Sequence, residues 1–358
     1  MKVHNFNAGP AILPESVLHQ AAEAVIEFNG LGMSILEISH RSKDFQAVVD
    51  EATNLVKDLA GLGDEYKVLF LQGGASTQFG MVPMNLLESN ESAGYINTGT
   101  WAKKALKEAK LFGNVLELAS SEKDNYTHIP KEYDIPSDLK YFHITSNNTI
   151  YGTQYHNFPK SPVSYIVDMS SDMFSKKVDF NQFDLIYAGA QKNIGPAGVT
   201  LVIVKESILG KVSRQIPTMM DYRTHIKENS LFNTPPVFAI YVTMLTLRWI
   251  KETGLATVEQ NNKAKAELLY AAIDKNPLFK GTVAVEDRSW MNVNFIMENR
   301  EWEPEFLQFA KENKCIGLAG HRSVGGFRAS LYNALTIESV QHLVGLMDEF
   351  SSTKSSRQ

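Results

Sequence analysis

Seven short apolar runs alternate with helical stretches along this 358-residue chain, and they constrain its fold more than any other feature. The runs are KVLFLQ, SAGYIN, VLEL, LKYFHI, VSYIVD, FDLIY and TLVIV. Strands that are apolar along their whole length are typical of a parallel sheet covered by helices on both faces. The last two runs lie too close together for a crossover helix, so we expect one antiparallel strand. The pattern predicts an α/β fold with a mainly parallel, seven-stranded sheet.

The chain is long enough for two lobes. Residues 1–14 are predicted to form an extended arm that Asn7-Ala-Gly-Pro breaks, and residues 15–255 to form a large α/β domain. After that the pattern changes to WMNVNFIM, a helix, GGFRASLY and a last helix, which predicts a small α+β domain over residues 256–350. A polar tail, residues 351–358, is expected to fray.

Composition excludes several classes of protein. A formal charge of −5 without a basic block argues against a general nucleic-acid surface. Cys315 is the only cysteine, so neither an intrachain disulfide nor a multi-cysteine metal site is expected. The chain starts without an apolar signal region, and its longest apolar stretch, residues 237–250, is too short to cross a bilayer. We therefore expect a cytoplasmic protein that binds small molecules and no metal.

Lys192 is the first candidate for chemistry, because it lies in YAGAQKNIGPAG between two of the apolar runs. Small neighbours would let a large group approach its amine. Desolvation would lower its pKa and so favour the free amine that attacks carbonyl groups. The alternative is an ordinary lysine on a surface loop.

Three further features are predicted at the same edge of the sheet as Lys192. Gly73-Gly74-Ala75-Ser76 lies between a strand and a helix, where free backbone N–H groups can bind phosphate. Asp168 ends a strand, where ligands sit in α/β sheets, although it could simply cap a helix. Trp101 begins a helix, although it could simply pack in the core. Together the four are the parts needed to hold pyridoxal 5′-phosphate.

The sequence also resembles, over essentially its whole length, the phosphoserine aminotransferase family of the class V, fold-type I aminotransferases. The matching segments are NFNAGPAILP, SHRS, GGAS-QF, NTGTWAKKA, SNNTIYG, VDMSSD, GAQKNIGPAG, NTPPVFAIY and GHRSVGGFRASLYNA. This resemblance implies pyridoxal 5′-phosphate as the cofactor and a homodimer with shared active sites.

The resemblance also implies a role for each matching residue. Lys192 would be the Schiff-base lysine, Asp168 would pair with the ring nitrogen, and Trp101 would stack on the ring. The other cofactor ligands would be Ala75, Ser76, Thr149 and Gln191, joined by Asn233 and Thr234 from the second subunit. The substrate ligands would be His40 and Arg41, also from the second subunit, with His321, Arg322 and Arg328, which would clamp the α-carboxylate. Some members carry arginine where this chain has Ser76, and backbone donors can suffice there.

The implied reaction transfers an amino group between L-glutamate and 3-phosphohydroxypyruvate, giving O-phospho-L-serine and 2-oxoglutarate. It would serve serine biosynthesis and, in some bacteria, the synthesis of pyridoxal phosphate. One alternative is another class V enzyme, either a serine- or alanine-type aminotransferase or a desulfurase-like lyase with Cys315 as nucleophile. The apolar neighbours of Cys315 are more typical of a buried thiol. A binding protein that kept the fold without catalysis would be marked by loss of Lys192 or Asp168, and both are present.

Overall fold

The computed structural model describes residues 3–355, which begin with the short strand β1 (His4–Asn5). Two amphipathic helices follow, α1 (Glu15–Ile26) and α2 (Lys43–Ala60). Ser42 caps α2 by accepting a hydrogen bond from the Phe45 N–H, and Gly61 ends it in the left-handed conformation at φ 63°. The predicted arm therefore contains a strand; its residues 1 and 2 lie outside the described part of the chain.

The largest sheet has the seven strands that the apolar runs predict. They are β2 (Tyr66–Leu71), β3 (Ser92–Asn97), β4 (Asn114–Ser120), β5 (Tyr141–Thr145), β6 (Ser164–Asp168), β7 (Leu185–Gly189) and β8 (Thr200–Lys205). The order across the sheet is β2-β8-β7-β6-β5-β3-β4, and only β8 in this sheet runs against the others. The prediction of a mainly parallel sheet with one antiparallel strand is confirmed.

Helices cover both faces of this sheet. Alternate residues of β2 divide between two apolar clusters: Val68 and Phe70 pack with α1, α2 and α6 (Val237–Thr253), and Leu69 and Leu71 pack with α3 (Gly74–Leu86) and α4 (Thr100–Ala109). A short helix, α5 (Tyr222–Lys227), also lies on the second side. Burial on both faces explains why the strands are apolar throughout.

The C-terminal part of the chain builds a second, smaller α+β unit around its own apolar cluster. Its elements are α7 (Leu255–Lys275), β9 (Phe279–Gly281), β10 (Asn292–Met297), α8 (Glu303–Glu312), β11 (Cys315–Ile316), β12 (Phe327–Ser330) and α9 (Ile337–Ser355). Three strands form an antiparallel sheet in the order β12-β10-β9, while β1 pairs in parallel with β11. The domain boundary between residues 255 and 256 stays a prediction.

The predicted start of the polar tail at residue 351 is wrong, because α9 continues to Ser355. Ser352 and Thr353 donate hydroxyl hydrogen bonds to the carbonyls four residues earlier, and Lys354 Nζ lies 2.5 Å from Glu305 Oε2. Residues 356–358 of that tail lie outside the described residues.

Across residues 3–355, no helix combines the length and the apolar character that crossing a membrane requires.

Candidate active site

Several predicted site residues follow the carboxyl ends of neighbouring strands. β2, β3, β5, β6 and β7 all run in one direction, so their carboxyl ends meet at one edge of the sheet. Asp168 is the last residue of β6, and Lys192 follows the end of β7 by three residues. In open α/β sheets this edge is where ligands bind.

Lys192 is partly buried and its amine is oriented by a neighbouring hydroxyl. Its Nζ donates a hydrogen bond to Thr149 Oγ1 at 2.7 Å. Thr149 lies in the loop after β5, and the whole segment from Ser146 to Ile150 is buried. The structure thus brings together two predicted cofactor ligands from separate strands.

Burial shifts the pKa of both ionisable groups at this edge. The pKa of Lys192 is lowered to about 8: desolvation is the largest cause and the Arg328 guanidinium acts in the same direction, while the charges of Asp168 and Asp172 oppose both. Desolvation raises the pKa of Asp168, while hydrogen bonding from Ser170 and the charge of Lys192 counteract the rise. Asp168 Oδ1 accepts a hydrogen bond from the Ser170 N–H at 2.9 Å, which stabilises its carboxylate form.

The loop after β5 also positions Trp101. Asn148 Nδ2 donates to Thr98 Oγ1 at 3.0 Å, and the Tyr151 hydroxyl lies 3.1 Å from Thr100 Oγ1. These bonds fix the start of α4, where Trp101 is half-buried against the apolar cluster. The indole Nε1 is buried and has no hydrogen-bond partner among the described residues. Core packing alone therefore leaves the polar atom of Trp101 unsatisfied.

The predicted phosphate turn opens helix α3 at the same edge. Gly73 takes φ 89° as the residue before the helix, so the amides of Ala75 and Ser76 fall in its first turn, where N–H groups have no intrahelical acceptor. A Cβ built on Gly74 meets nothing within 4 Å, so open space lies beside the turn. The Gln191 side chain packs beside Gly189, at the end of β7.

The smaller unit contributes a group of basic side chains to the site, namely Arg328, His321 and Arg322. Arg328, on β12, donates from Nη1 to the Thr149 carbonyl at 3.4 Å, and its Nε is buried without a partner among the described residues. Burial lowers the pKa of His321, and the charges of Arg328, Arg322 and Lys104 lower it further. Lys104, which sequence reasoning missed, lies with its Nζ 4.4 Å from the centre of the Trp101 ring.

The four residues predicted to come from a second subunit do not reach Lys192 in one chain: no hydrogen bond or ion pair of the described residues links them. Asn233 Nδ2 donates to Gln72 Oε1 at 3.0 Å, next to the phosphate turn of its own chain. His40 and Thr234 line a groove of about 590 Å³, and Arg41 is exposed nearby in sequence.

The N-terminal arm also borders Lys192, a contact that sequence reasoning missed. The Ala11 N–H donates to the Gln191 carbonyl at 2.9 Å, and the Tyr332 hydroxyl donates to the Ala8 carbonyl at 2.8 Å. Gly9 has φ +139°, and a Cβ there would lie 3.3 Å from Lys192 Cγ. In the sequence, Gly9 within Asn7-Ala-Gly-Pro indicates a break in the arm, but it does not indicate that this break lies against Lys192.

The chemical groups of these residues suit the parts of pyridoxal 5′-phosphate. Free amides at the start of α3 suit a phosphate, and the unpartnered indole N–H of Trp101 belongs to the start of α4, which the loop of Thr149 holds through the Asn148–Thr98 bond. Asp168 can stabilise a protonated ring nitrogen, and an amine of lowered pKa suits attachment to an aldehyde.

Comparison with known proteins identifies the family of this chain. Residues 3–343 match the model of the family described as Aminotransferase class-V. The phosphoserine aminotransferase of Flavobacterium johnsoniae is 60% identical over 98% of this chain and 99% of its own. The structure of phosphoserine aminotransferase from Bacillus circulans subsp. alkalophilus has a TM-score of 0.96 and 48% identity, covering 99% of both chains. A PLP-bound phosphoserine aminotransferase from Trichomonas vaginalis has a TM-score of 0.92 and 37% identity, covering 97% of this chain and 100% of its own.

Proposed function

The chain belongs to the class V aminotransferases, and from this premise we propose that it is a pyridoxal-phosphate-dependent phosphoserine aminotransferase. It would transfer the amino group of L-glutamate to 3-phosphohydroxypyruvate, giving O-phospho-L-serine and 2-oxoglutarate. The observation that carries the proposal is Lys192, an amine with its pKa lowered to about 8, bonded to Thr149 and influenced by both Asp168 and Arg328. The amine of Lys192 therefore lies beside Thr149 and Asp168, which are predicted cofactor ligands, and beside Arg328, the predicted ligand of the substrate carboxylate.

The cofactor would be held from the sheet edge. The amides of Ala75 and Ser76, with Gln191, would bind its phosphate, and the indole of Trp101 would lie against its ring. Asp168 would keep the ring nitrogen protonated, and Lys192 would be the covalent anchor. When bound, the cofactor supplies an electron-accepting ring that stabilises negative charge at the Cα of an amino acid.

Proton movement would fall to Lys192 once the amino group of the substrate has displaced it. As a free amine, Nζ accepts the proton that leaves Cα, and Thr149 Oγ1 orients the amine by accepting its hydrogen bond. A pKa of about 8 lets Nζ both take up and release a proton near neutral pH.

Arg328 would hold the α-carboxylate of the substrate, because its planar guanidinium can bind a carboxylate through two parallel hydrogen bonds. The buried, unpartnered Nε of Arg328 leaves such a donor available. His321 and Arg322, on the same side as Arg328, would bind the distal anion, either the γ-carboxylate of glutamate or the phosphate of phosphoserine.

A second subunit would complete the site with His40, Arg41, Asn233 and Thr234. The groove that His40 and Thr234 share is lined mostly by apolar side chains, and Leu36 at its rim is 60% exposed. Burying such a surface against a second copy is favourable. The protein would then act as a homodimer in the cytoplasm.

The lyase alternative lacks support from the position of Cys315. This thiol is buried in β11, which pairs with β1, and burial raises its pKa to about 12. A thiol with so high a pKa is a poor nucleophile at neutral pH.

Absorbance spectroscopy tests the proposal. The purified protein should carry the visible absorbance of bound pyridoxal phosphate, and adding O-phosphoserine should change that spectrum at far lower concentration than adding alanine. A colourless protein that takes up no pyridoxal phosphate would exclude the cofactor. Equal responses to alanine and phosphoserine would exclude the assigned substrate.

A further inference from the structure

Three consecutive backbone carbonyls behind the active site each accept a hydrogen bond from a different asparagine. Asn193 Nδ2 donates to Met173 O at 3.1 Å. Asn333 Nδ2 donates to Phe174 O at 3.0 Å, and Asn262 Nδ2 donates to Ser175 O at 2.9 Å. The three side chains come from three separate parts of the chain: the loop after β7, the segment after β12, and helix α7. We call Asn193, Asn262 and Asn333 the asparagine cluster.

The asparagine cluster is also connected within itself. Asn193 Oδ1 accepts a hydrogen bond from the backbone N–H of Asn333 at 2.9 Å, and Asn333 Oδ1 accepts one from Asn262 Nδ2 at 2.7 Å. All three residues are buried, with at most 9% of their surface exposed. Buried polar groups linked in this way have few alternative arrangements, because each broken bond leaves an unpaired polar atom.

A buried lysine fixes the same segment on both sides of Asn333. Lys265, one helical turn beyond Asn262 on α7, donates from Nζ to the carbonyls of Leu331, Tyr332 and Leu335 at 2.8 to 2.9 Å. All three of its N–H donors therefore have acceptors, and the residue is committed to holding the backbone. Burial lowers its pKa to about 7.

The asparagine cluster and the carbonyls that it binds lie close in sequence to three predicted site residues, Lys192, Arg328 and Asp168. Asn193 is the immediate neighbour of Lys192, and Asn333 follows Arg328 by five residues. The segment containing Met173, Phe174 and Ser175 follows closely after Asp168. Phe174 has φ 54°, an unfavourable value for a non-glycine residue that persists only when surrounding contacts impose it.

We propose that the asparagine cluster consists of positioning residues, which set the distance between Lys192 Nζ and the Arg328 guanidinium. This inference rests on the proposed function, in which Arg328 holds the substrate carboxylate and Lys192 accepts the proton from Cα. Carboxylate and Cα are directly bonded in an amino acid, so the two protein groups must be held at a matching separation. Misplacement by about 1 Å can cost on the order of 10²-fold in rate.

Replacing Asn333 with alanine tests the inference. Asn333→Ala should lower kcat/KM for glutamate about 10²-fold and weaken binding of glutarate, a non-reacting dicarboxylate, measured by calorimetry. The dissociation constant of pyridoxal phosphate should not change, because its ligands lie on the larger unit. Asn262→Ala, which leaves the bond from Asn333 Nδ2 to Phe174 O in place, provides a milder second variant if Asn333→Ala fails to fold.

Asn276→Ala is the matched control. Asn276 is also buried and lies at the end of α7, but it bonds the Leu278 N–H and the Ser351 hydroxyl, away from Arg328. Its loss should lower the melting temperature without weakening glutarate binding. Equal weakening in Asn276→Ala and Asn333→Ala would overturn the inference.

A double-mutant cycle separates positioning from general damage. If Asn333 acts through Arg328, Asn333→Ala should cost much less in an Arg328→Lys background than in the parent. Fully additive costs would contradict the inference. Absence of phosphoserine transamination in the parent would instead refute the proposed function, while the glutarate comparison would still test the asparagine cluster.

Discussion

The lowered pKa of Lys192 predicts how fast the cofactor-free enzyme takes up pyridoxal phosphate at different pH values. The pKa falls from an ordinary value of 10.5 to about 8, which corresponds to about 3 kcal/mol in favour of the free amine. At pH 7.5 about a quarter of the Lys192 side chains would then be free amines, against about one in a thousand for an unperturbed lysine. The rate of covalent uptake should rise about tenfold per pH unit below this pKa and level off above pH 8 or so.

Borohydride trapping measures this rate. Apoenzyme is mixed with pyridoxal phosphate, the adduct is reduced at set times, and mass spectrometry counts modified Lys192. Lys192→Ala provides the background. A rate that keeps rising to pH 10 would refute the reasoning, because it would mean that the site does not lower the pKa.

Two charge variants should move the pKa of Lys192 in opposite directions, which tests the causes of its shift. Arg328→Gln removes a cation that disfavours the ammonium, so the midpoint of the pH profile should move up. Asp168→Asn removes an anion that favours the ammonium, so the midpoint should move down. Movement of both midpoints in the same direction would contradict the electrostatic account.

Three further substitutions have distinct expected results. Arg322→Ala should raise KM for phosphoserine strongly in steady-state assays and leave cofactor binding unchanged; an unaltered KM would remove Arg322 from the substrate site. Gly9→Ala should destabilise the protein by about 1 to 3 kcal/mol in chemical denaturation, because φ is +139° and the new Cβ would crowd Lys192 Cγ; unchanged stability would argue against this close approach. Cys315→Ala should retain full transaminase activity, and complete loss would revive the lyase alternative.

The sequence predicted the large sheet and its edge well, because both depend on local signals. Apolar strands and the short link before TLVIV indicated the parallel sheet and its one antiparallel strand. Asp168 and Lys192 then fell at the same edge because their strands are parallel. A residue at the end of a buried strand is recognisable from its neighbours in sequence alone.

Contacts between distant segments could not be predicted in this way. The approach of Gly9 to Lys192 and the bonds from Asn333 to Asn193 join residues far apart in the chain. The proposed roles of His40 and Asn233 would require a second copy of the chain, and a contact between copies leaves no local signal in the sequence. The helix α9 extends beyond its predicted end because Lys354 lies against Glu305, a contact that the polar composition of this segment does not indicate.

The transfer of nitrogen between the two proposed substrates is the most direct test of the function. The holoenzyme is incubated with ¹⁵N-labelled L-glutamate and 3-phosphohydroxypyruvate, and the products are separated and weighed by mass spectrometry. We predict one labelled O-phosphoserine for each 2-oxoglutarate formed, and no product with Lys192→Ala. Release of the label as ammonia, or 2-oxoglutarate formed without labelled phosphoserine, would contradict the proposed transamination.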